Sequence, residues 1–225
     1  AGPRSREMLA GLTGADLSNE GWRFMRSRGI TVGVVDCLAI RVSFTGDLGW
    51  ELHCAVDDQV ALYEILLEAA AAHRGGPVGG RALGALRIEK GYGSWGREYS
   101  PEYWPQEARL HGLIKLDKDF LNKEAYLKIS NTPPRESLTM FEVDVADNAD
   151  ANGGEPIFLA DGTPVGRVTS GSYGYTVGKS LAIGYAREGV VSAGDRVEIF
   201  ILGKPHAATV LDKPPFDAGG ERLRA

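Results

Sequence analysis

Six short strand candidates follow one another along the carboxy-terminal part of the chain. Turn sequences containing glycine separate most of them, among them Asn152-Gly153-Gly154 and Asp161-Gly162. Short strands at near-regular spacing with explicit turns are typical of a small all-β barrel or sandwich. The predicted strands are 138–145, 156–159, 164–170, 180–186, 195–202 and 204–211.

The amino-terminal part mixes strand and helix patterns. Residues 37–44 and 50–56 alternate apolar and polar side chains around a loop, 45–49, that contains two glycines. This pattern predicts an antiparallel hairpin with one buried face. The residues predicted to face the core are Leu38, Ile40, Val42 and Phe44 on the first strand and Trp50, Leu52, Cys54 and Val56 on the second. Helices are predicted over 5–13, from Asp57 or Asp58 to Arg74, and over 81–90. The predicted fold class is therefore α+β, with a sheet-and-helix domain followed by the small all-β domain.

An aromatic loop and a proline pair lie between the two patterns. Residues 91–106 hold five tyrosine and tryptophan side chains, too apolar for a solvated linker, which either cover a flat ligand or pack between domains. A short helix is predicted near 123–129, ahead of the Pro133-Pro134 pair. We place the domain boundary at that pair, which gives domains 1–133 and 134–225.

Composition excludes several classes of function. The chain has 25 basic and 30 acidic residues and a net charge of −5, so it has no basic excess with which to bind nucleic acid. It has no apolar run of the roughly 20 residues that a membrane helix needs. We therefore expect no nucleic-acid partner, no membrane contact and a cytoplasmic location.

Cysteine and histidine offer little chemistry by spacing alone. Cys37 and Cys54 are typical of reduced structural thiols, because a chain of 225 residues does not need a disulfide framework. The four histidines stand far apart, and no Cys-x-x-Cys occurs. The sequence therefore predicts no metal site.

Glu51 is the most informative candidate for binding. If Trp50 faces the core, Glu51 projects from the opposite face of the hairpin, where a carboxylate can accept two parallel hydrogen bonds from a planar N–H edge. Guanine-like and pterin-like rings present such an edge. The residues alone leave two readings open, a ligand contact or a solvated glutamate on a sheet face.

Several stretches together resemble a known family. They are ADLSN at 15–19, RVSFTGDLGWEL at 41–52, LRIEKGY at 86–92, GRVTSG at 166–171 and AIGY at 182–185. Their order and spacing resemble the aminomethyltransferase family, which includes the T-protein of the glycine cleavage system. Trp95-Gly96 and the stretch 114–118 are similar to the branch that is fused to flavin enzymes, the dimethylglycine and sarcosine dehydrogenases or oxidases.

The resemblance implies roles for named residues. It implies tetrahydrofolate as the cofactor, with Glu51 holding the pterin edge and Phe44 lying against the ring where the family usually has tyrosine. Asp47 stands where the motif usually has glutamate, and from the residues alone it is a turn residue that bonds its own backbone. Leu83 stands where T-proteins carry an arginine, which places the chain nearer the flavin-fused branch.

The resemblance also implies a reaction and a larger protein. The family transfers a one-carbon unit from a methylamine-derived iminium, or formaldehyde, to the folate. The catalytic aspartate of the family, and FAD in a flavin domain of the same parent chain, are expected upstream of Ala1. We therefore expect a carboxy-terminal portion that is inactive alone. The alternative is a non-catalytic folate-binding or interaction module with the same fold.

Overall fold

The computed structural model describes residues 1–145 and 149–225, which form two compact units. Unit 1 comprises Ala1–Lys90 together with Phe216–Ala225, and unit 2 comprises Gly91–Pro215. The chain thus passes into unit 2 at Gly91 and returns to unit 1 for its last ten residues. The domain boundary at Pro133-Pro134 stays a prediction.

The elements alternate as the sequence patterns predict, with one additional strand near the amino terminus. The helices are α1 (Ser5–Ala10), α2 (Gln59–Ala72), α3 (Gly80–Glu89), α4 (Lys123–Ser130) and α5 (Glu221–Arg224), with 3₁₀ turns at Val56–Asp58 and His111–Leu113. The strands are β1 (Ser27–Val32), β2 (Val35–Ile40), β3 (Glu51–His53), β4 (Glu136–Val143), β5 (Pro156–Phe158), β6 (Pro164–Gly174), β7 (Lys179–Arg187), β8 (Arg196–Ile201) and β9 (Lys204–Leu211).

Unit 1 is built on an antiparallel sheet with the strand order β1-β2-β3. One face of this sheet is covered by a core to which helix α2 contributes a buried leucine. The fully buried Trp22 is the largest side chain of that core. The core residues are Leu9, Leu17, Trp22, Val32, Val35, Cys37, Ala39 and Leu62.

The predicted buried face of the first hairpin strand is wrong. In β2 the side chains that point to the core are those of Cys37 and Ala39, and Arg41 follows them inward, whereas Leu38 is half exposed. A shift of one residue moves every side chain of a strand to the other face. Cys37 and Ala39 share this core with the fully buried Trp22, and backbone carbonyls accept hydrogen bonds from the buried Arg41.

The predicted loop of the hairpin is also too short. Ile40 pairs with Glu51, so the connection runs over ten residues, 41–50, and not over 45–49. The face predicted for the second strand is correct for three of its four residues and wrong for Val56, which is 81% exposed because the strand has ended and a 3₁₀ turn begins there. Trp50, Leu52 and Cys54 turn inward, and Glu51 turns outward.

Charged groups hold residues 216–225 against the rest of unit 1. The Lys90 ammonium lies 3.1 Å from a carboxylate oxygen of Asp217, and both side chains are buried. The buried guanidinium of Arg41 donates hydrogen bonds to the backbone carbonyls of Arg224 and Ala225. These contacts join residues more than 120 positions apart in sequence.

Unit 2 contains a closed six-stranded barrel with the order β4-β7-β6-β5-β8-β9. All six strands predicted from the sequence are present, and the prediction of a small all-β domain is confirmed. Inward-facing apolar side chains fill the barrel. They include Phe141, Ile157, Val168, Ala182, Ile199 and Ala208.

The aromatic loop packs against the barrel of its own unit. The Tyr103 ring stacks on Tyr185 of β7 with 3.7 Å between the ring centroids. The Tyr185 hydroxyl donates to the backbone carbonyl of Glu98, and Thr169 of β6 donates to the Glu98 carboxylate at 2.6 Å. The Tyr103 contact is packing within unit 2 and not between the two units, while Trp95 remains 81% exposed.

Gly184 allows strands β6 and β7 to approach each other closely. A Cβ atom at this position would lie 2.3 Å from the carbonyl oxygen of Arg167, which belongs to the neighbouring backbone. We expect Gly184→Ala to lower the free energy of unfolding by about 3 kcal/mol, because the strands must separate to admit the methyl group. Urea denaturation measures this, with Gly112→Ala as the control, since a Cβ there meets nothing within 4 Å. Equal losses in the two variants would contradict the prediction.

Candidate functional site

The face of the unit 1 sheet that points away from the core carries the candidate site. Leu38 lies opposite His53, and Ile40 lies opposite Glu51, so these four side chains share that face. Gly29 of β1 pairs with Leu38 and, as a glycine, adds no side chain to this face. The space beside it is open, because a Cβ at Gly29 would meet nothing within 4 Å. The result is an open strip with apolar groups beside a carboxylate.

Glu51 projects outward as the alternation predicts. Its side chain is 57% exposed, and one carboxylate oxygen lies 3.6 Å from Nε2 of His53. The inward neighbours Trp50 and Leu52 anchor the strand on the core side. Glu51 is therefore held by its backbone, while its carboxylate faces solvent.

Phe44 lies on the connection 41–50, which starts and ends at the paired residues Ile40 and Glu51. Its ring is 38% exposed, although the sequence pattern placed it in the core. Phe44 therefore lies on the loop that leads into Glu51, seven positions before it in the sequence.

The same loop is held by contacts on its inner side. The Ser43 hydroxyl accepts a hydrogen bond from the Gly46 amide at 2.9 Å. The Leu48 carbonyl accepts hydrogen bonds from the Gly2 amide and the Ser5 hydroxyl. The loop is therefore ordered by its own turns and by the start of the chain.

The sequence predicted that the Asp47 side chain bonds its own backbone. The structure pairs this side chain with Arg222 instead. The Asp47 carboxylate lies 3.2 Å from Nε of Arg222 in α5, and the Asp47 side chain is only 19% exposed. Lys90 packs beneath the neighbouring Gly46, where a Cβ would lie 2.9 Å from the lysine Cδ. The sequence analysis missed Lys90, Asp217 and Arg222 as supports of this loop, because no local pattern links positions so far apart.

The arrangement suits a flat, polar-edged ring. Leu38 and Ile40 offer apolar surface to the face of a ring, and the two oxygens of Glu51 can accept parallel N–H donors from its edge. Tetrahydrofolate contains such a ring in its pterin, so Glu51 supplies acceptor atoms of the kind that this cofactor needs. Among residues 1–145 and 149–225, no group of three or more His, Cys, Asp or Glu side chains is arranged to hold a metal ion.

A cavity of about 750 Å³ occupies the other side of β3. It is lined by Trp50 and Leu52, which point away from Glu51, and by residues of α1 and α2 such as Met8 and Leu66. Neither Glu51 nor Phe44 lines it. The volume of this cavity therefore gives no support to the Glu51 site, which is an open surface.

Two family models match the chain. The GCVT N-terminal domain matches residues 1–118, more than half of the chain, and the glycine cleavage T-protein C-terminal barrel domain matches residues 137–217. With the sheet-and-helix unit and the closed barrel, these matches define an aminomethyltransferase-type protein. The chain belongs to the glycine cleavage T-protein family, and the family resemblance seen in the sequence is confirmed.

Relatives of two kinds match along almost the whole chain. Mitochondrial dimethylglycine dehydrogenase of Mus musculus is 38% identical over 95% of this chain, which covers 25% of that protein. Mitochondrial sarcosine dehydrogenase of Mus musculus is 35% identical over 99% of this chain and is also covered to 25%. An aminomethyltransferase of Caldanaerobacter subterraneus is 30% identical over 94% of this chain and is covered to 56%.

A solved structure shows the same fold. The glycine cleavage system aminomethyltransferase T from Bartonella henselae matches with a TM-score of 0.80 at 24% identity, over 94% of this chain and 57% of that one. The chain thus spans a quarter of the length of the matched dehydrogenases and little more than half that of the aminomethyltransferases. No helix in the described parts of the chain has the length and apolar character to cross a membrane. A cytoplasmic location stays a prediction.

Proposed function

We propose that this chain takes part in tetrahydrofolate-dependent one-carbon transfer, within a demethylating flavoenzyme of the dimethylglycine or sarcosine type or within an aminomethyltransferase. The observation that carries the proposal is the Glu51 carboxylate, which stands exposed beside Leu38 and Ile40 on the open face of the sheet in unit 1. The matched relatives support the reaction class. We also propose a flavin domain with FAD in the same parent protein. The division of this chain into domains 1–133 and 134–225 likewise stays a proposal.

The residues of the site bind and orient the folate. The bound folate supplies the amine that accepts the one-carbon unit from an iminium or from formaldehyde. Glu51 accepts hydrogen bonds from the pterin edge and so sets the rotation of the ring, while Phe44 packs against it. The rate gain comes mainly from holding the two reactants together, since amine attack on an iminium is intrinsically easy.

Glu51→Gln tests the binding role. The amide keeps the size of the side chain but offers one acceptor oxygen and no charge, so we expect the Kd for tetrahydrofolate to rise roughly 10- to 100-fold. Isothermal titration calorimetry measures this at constant pH and salt. Glu64→Gln on α2 is the matched control, because Glu64 is an exposed glutamate of the same unit outside the site.

The same titrations separate the possible failures. An unchanged Kd in Glu51→Gln would show that Glu51 does not hold the ligand, even if the protein binds folate. An absence of heat with the unmodified chain would refute binding by this chain alone. Binding without turnover of formaldehyde, in the parent protein as well as in this chain, would favour the non-catalytic module.

A further inference from the structure

Cys37 lies in strand β2, and Cys54 directly follows strand β3. Leu38 pairs with His53, and Ala39 pairs with Leu52, so the same antiparallel register extended by one position sets Cys54 opposite Cys37. The Cys54 thiol is near enough to act electrostatically on the Cys37 thiol. The backbone of Ala55 is still extended, so the chain runs on in the strand direction past Cys54. Opposite residues in antiparallel strands have Cα atoms about 4.5 or 5.5 Å apart. Both values lie within the range of roughly 4.4–6.8 Å that a disulfide spans.

Both thiols lie on the core side of the sheet. Cys37 belongs to the core cluster of unit 1, and Cys54 packs against that cluster while remaining partly accessible. Both are free thiols, and the Cys37 thiol lies 3.7 Å from the Val35 carbonyl, toward which it donates a weak hydrogen bond. Burial raises the pKa of the Cys37 thiol, and the nearby Cys54 raises it further. The two thiols therefore lie beside the same core cluster, but Cys54 is more accessible to solvent than Cys37.

We propose that Cys37 and Cys54 are a redox modification site and form a reversible disulfide when the protein meets hydrogen peroxide. The more accessible Cys54 reacts first, because oxidation follows exposure and thiolate character. Its sulfur attacks one peroxide oxygen, the O–O bond breaks, and a sulfenic acid and one water are formed.

Cys37 completes the reaction from the core side. Its sulfur attacks the Cys54 sulfur, the S–O bond breaks, and hydroxide leaves as water with the proton from the Cys37 thiol. Two thiols thus lose two electrons in total, and one hydrogen peroxide is reduced to two waters. The product ties β2 to the residue that follows β3, three positions after Glu51 and on the core side of the sheet.

Mass spectrometry of the folded full-length chain tests the site directly. The protein is treated with equimolar hydrogen peroxide, quenched, and alkylated with N-ethylmaleimide after unfolding. We expect a loss of about 2 Da, no alkylation of either cysteine, a crosslinked Cys37–Cys54 peptide, and full reversal by dithiothreitol. A sulfinic acid on Cys54 beside an alkylated Cys37, or a disulfide between two chains, would overturn the proposal.

Single serine variants test the order of the two steps. Cys37→Ser is expected to stop at a sulfenic acid on Cys54, which dimedone traps, whereas Cys54→Ser is expected to leave Cys37 reduced and open to alkylation. Trapping of Cys37 by dimedone in Cys54→Ser, at the rate at which dimedone traps Cys54 in Cys37→Ser, would refute the assigned order. The crosslink in the unmodified chain decides the proposal if a variant does not fold, and none of these measurements involves folate.

Discussion

Lys90→Met is expected to lower the free energy of unfolding by about 3–5 kcal/mol, the cost typical of removing one partner from a buried ion pair. The Lys90 and Asp217 side chains are only 4% and 7% exposed, and their charged atoms are 3.1 Å apart. Burial alone would raise the pKa of Asp217, but the Lys90 ammonium and the backbone amides of Arg222 and Glu221 outweigh burial and hold that pKa below its usual value. Without Lys90, the carboxylate stays buried with only the amides as partners.

Urea denaturation measures the loss, and two further variants identify its cause. Lys179→Met removes a partner from the Lys179–Glu142 pair, which is 44% and 30% exposed, and should cost less than about 1 kcal/mol. Adding Asp217→Asn to Lys90→Met should restore part of the stability, because the unpaired charge is then gone. A Lys90→Met variant as stable as Lys179→Met would show that the pair does not hold residues 216–225 in place.

The same substitution bears on the folate site. Lys90 packs under Gly46, in the loop that carries Phe44, and Asp217 belongs to the segment from which Arg222 reaches Asp47. Loosening this support should weaken tetrahydrofolate binding without any change in Glu51 itself. The Kd of Lys90→Met is therefore expected to rise even under conditions in which the variant is fully folded.

Glu107→Gln is the second substitution with a large expected effect. The Glu107 side chain is fully buried, and its carboxylate accepts four hydrogen bonds, from the Trp104 amide and from the backbone amide, Nε and Nη2 of Arg135. An amide can accept at only one oxygen and sets an N–H group against the remaining donors. We expect a loss of about 3 kcal/mol at pH 7, since hydrogen bonds to a charged group contribute roughly 1.5–3 kcal/mol each.

This carboxylate also makes stability depend on pH. The Arg135 side chain is the main cause that lowers the pKa of Glu107 from 4.5 to about 2, against the opposing effect of burial and with help from the backbone amides of Trp104 and Arg135. A carboxyl group whose pKa is lower in the folded state stabilises the fold above its unfolded pKa. That contribution is lost as the pH falls from about 4.5 to about 2.

Urea denaturation at pH 7, 4 and 3 tests both statements about Glu107. The difference in unfolding free energy between the unmodified chain and Glu107→Gln should shrink from pH 7 to pH 3. Asp144→Asn is the control, because the Asp144–Arg196 pair is 57% and 55% exposed and should matter little at any pH. A constant difference across this range would mean that the ionised Glu107 is not what Arg135 stabilises.

Sequence reasoning predicted the barrel well because its signals are local. The barrel strands are short segments rich in apolar residues, and turn sequences separate most of them, so these signals do not depend on distant parts of the chain. The largest error in the predicted end of a barrel strand is at β6, which runs to Gly174 and not only to residue 170. The outward projection of Glu51 follows in the same way from the alternation of Trp50, Leu52 and Cys54.

The same reasoning failed for β2 for a physical reason. Leu38 and Ile40 are the most apolar residues of that strand, and the pattern assigned them to the core. The structure instead buries Cys37, Ala39 and the charged Arg41, and it leaves Leu38 on the open face beside Glu51. The residues that the pattern misassigned thus lie on the same open face as Glu51, where the proposed site is.

By itself, the sequence determined the two kinds of unit and the outward direction of Glu51, because alternation and turn chemistry are local properties. It also determined the membership of the family, because motifs and their order can be read along the chain without the fold. Only the tertiary structure decided which face of β2 is buried, that Asp47 pairs with Arg222, and that Lys90 pairs with Asp217. The last pair joins residues 127 positions apart. A contact at that separation depends on how the whole chain folds back, and no short-range pattern of residues encodes it.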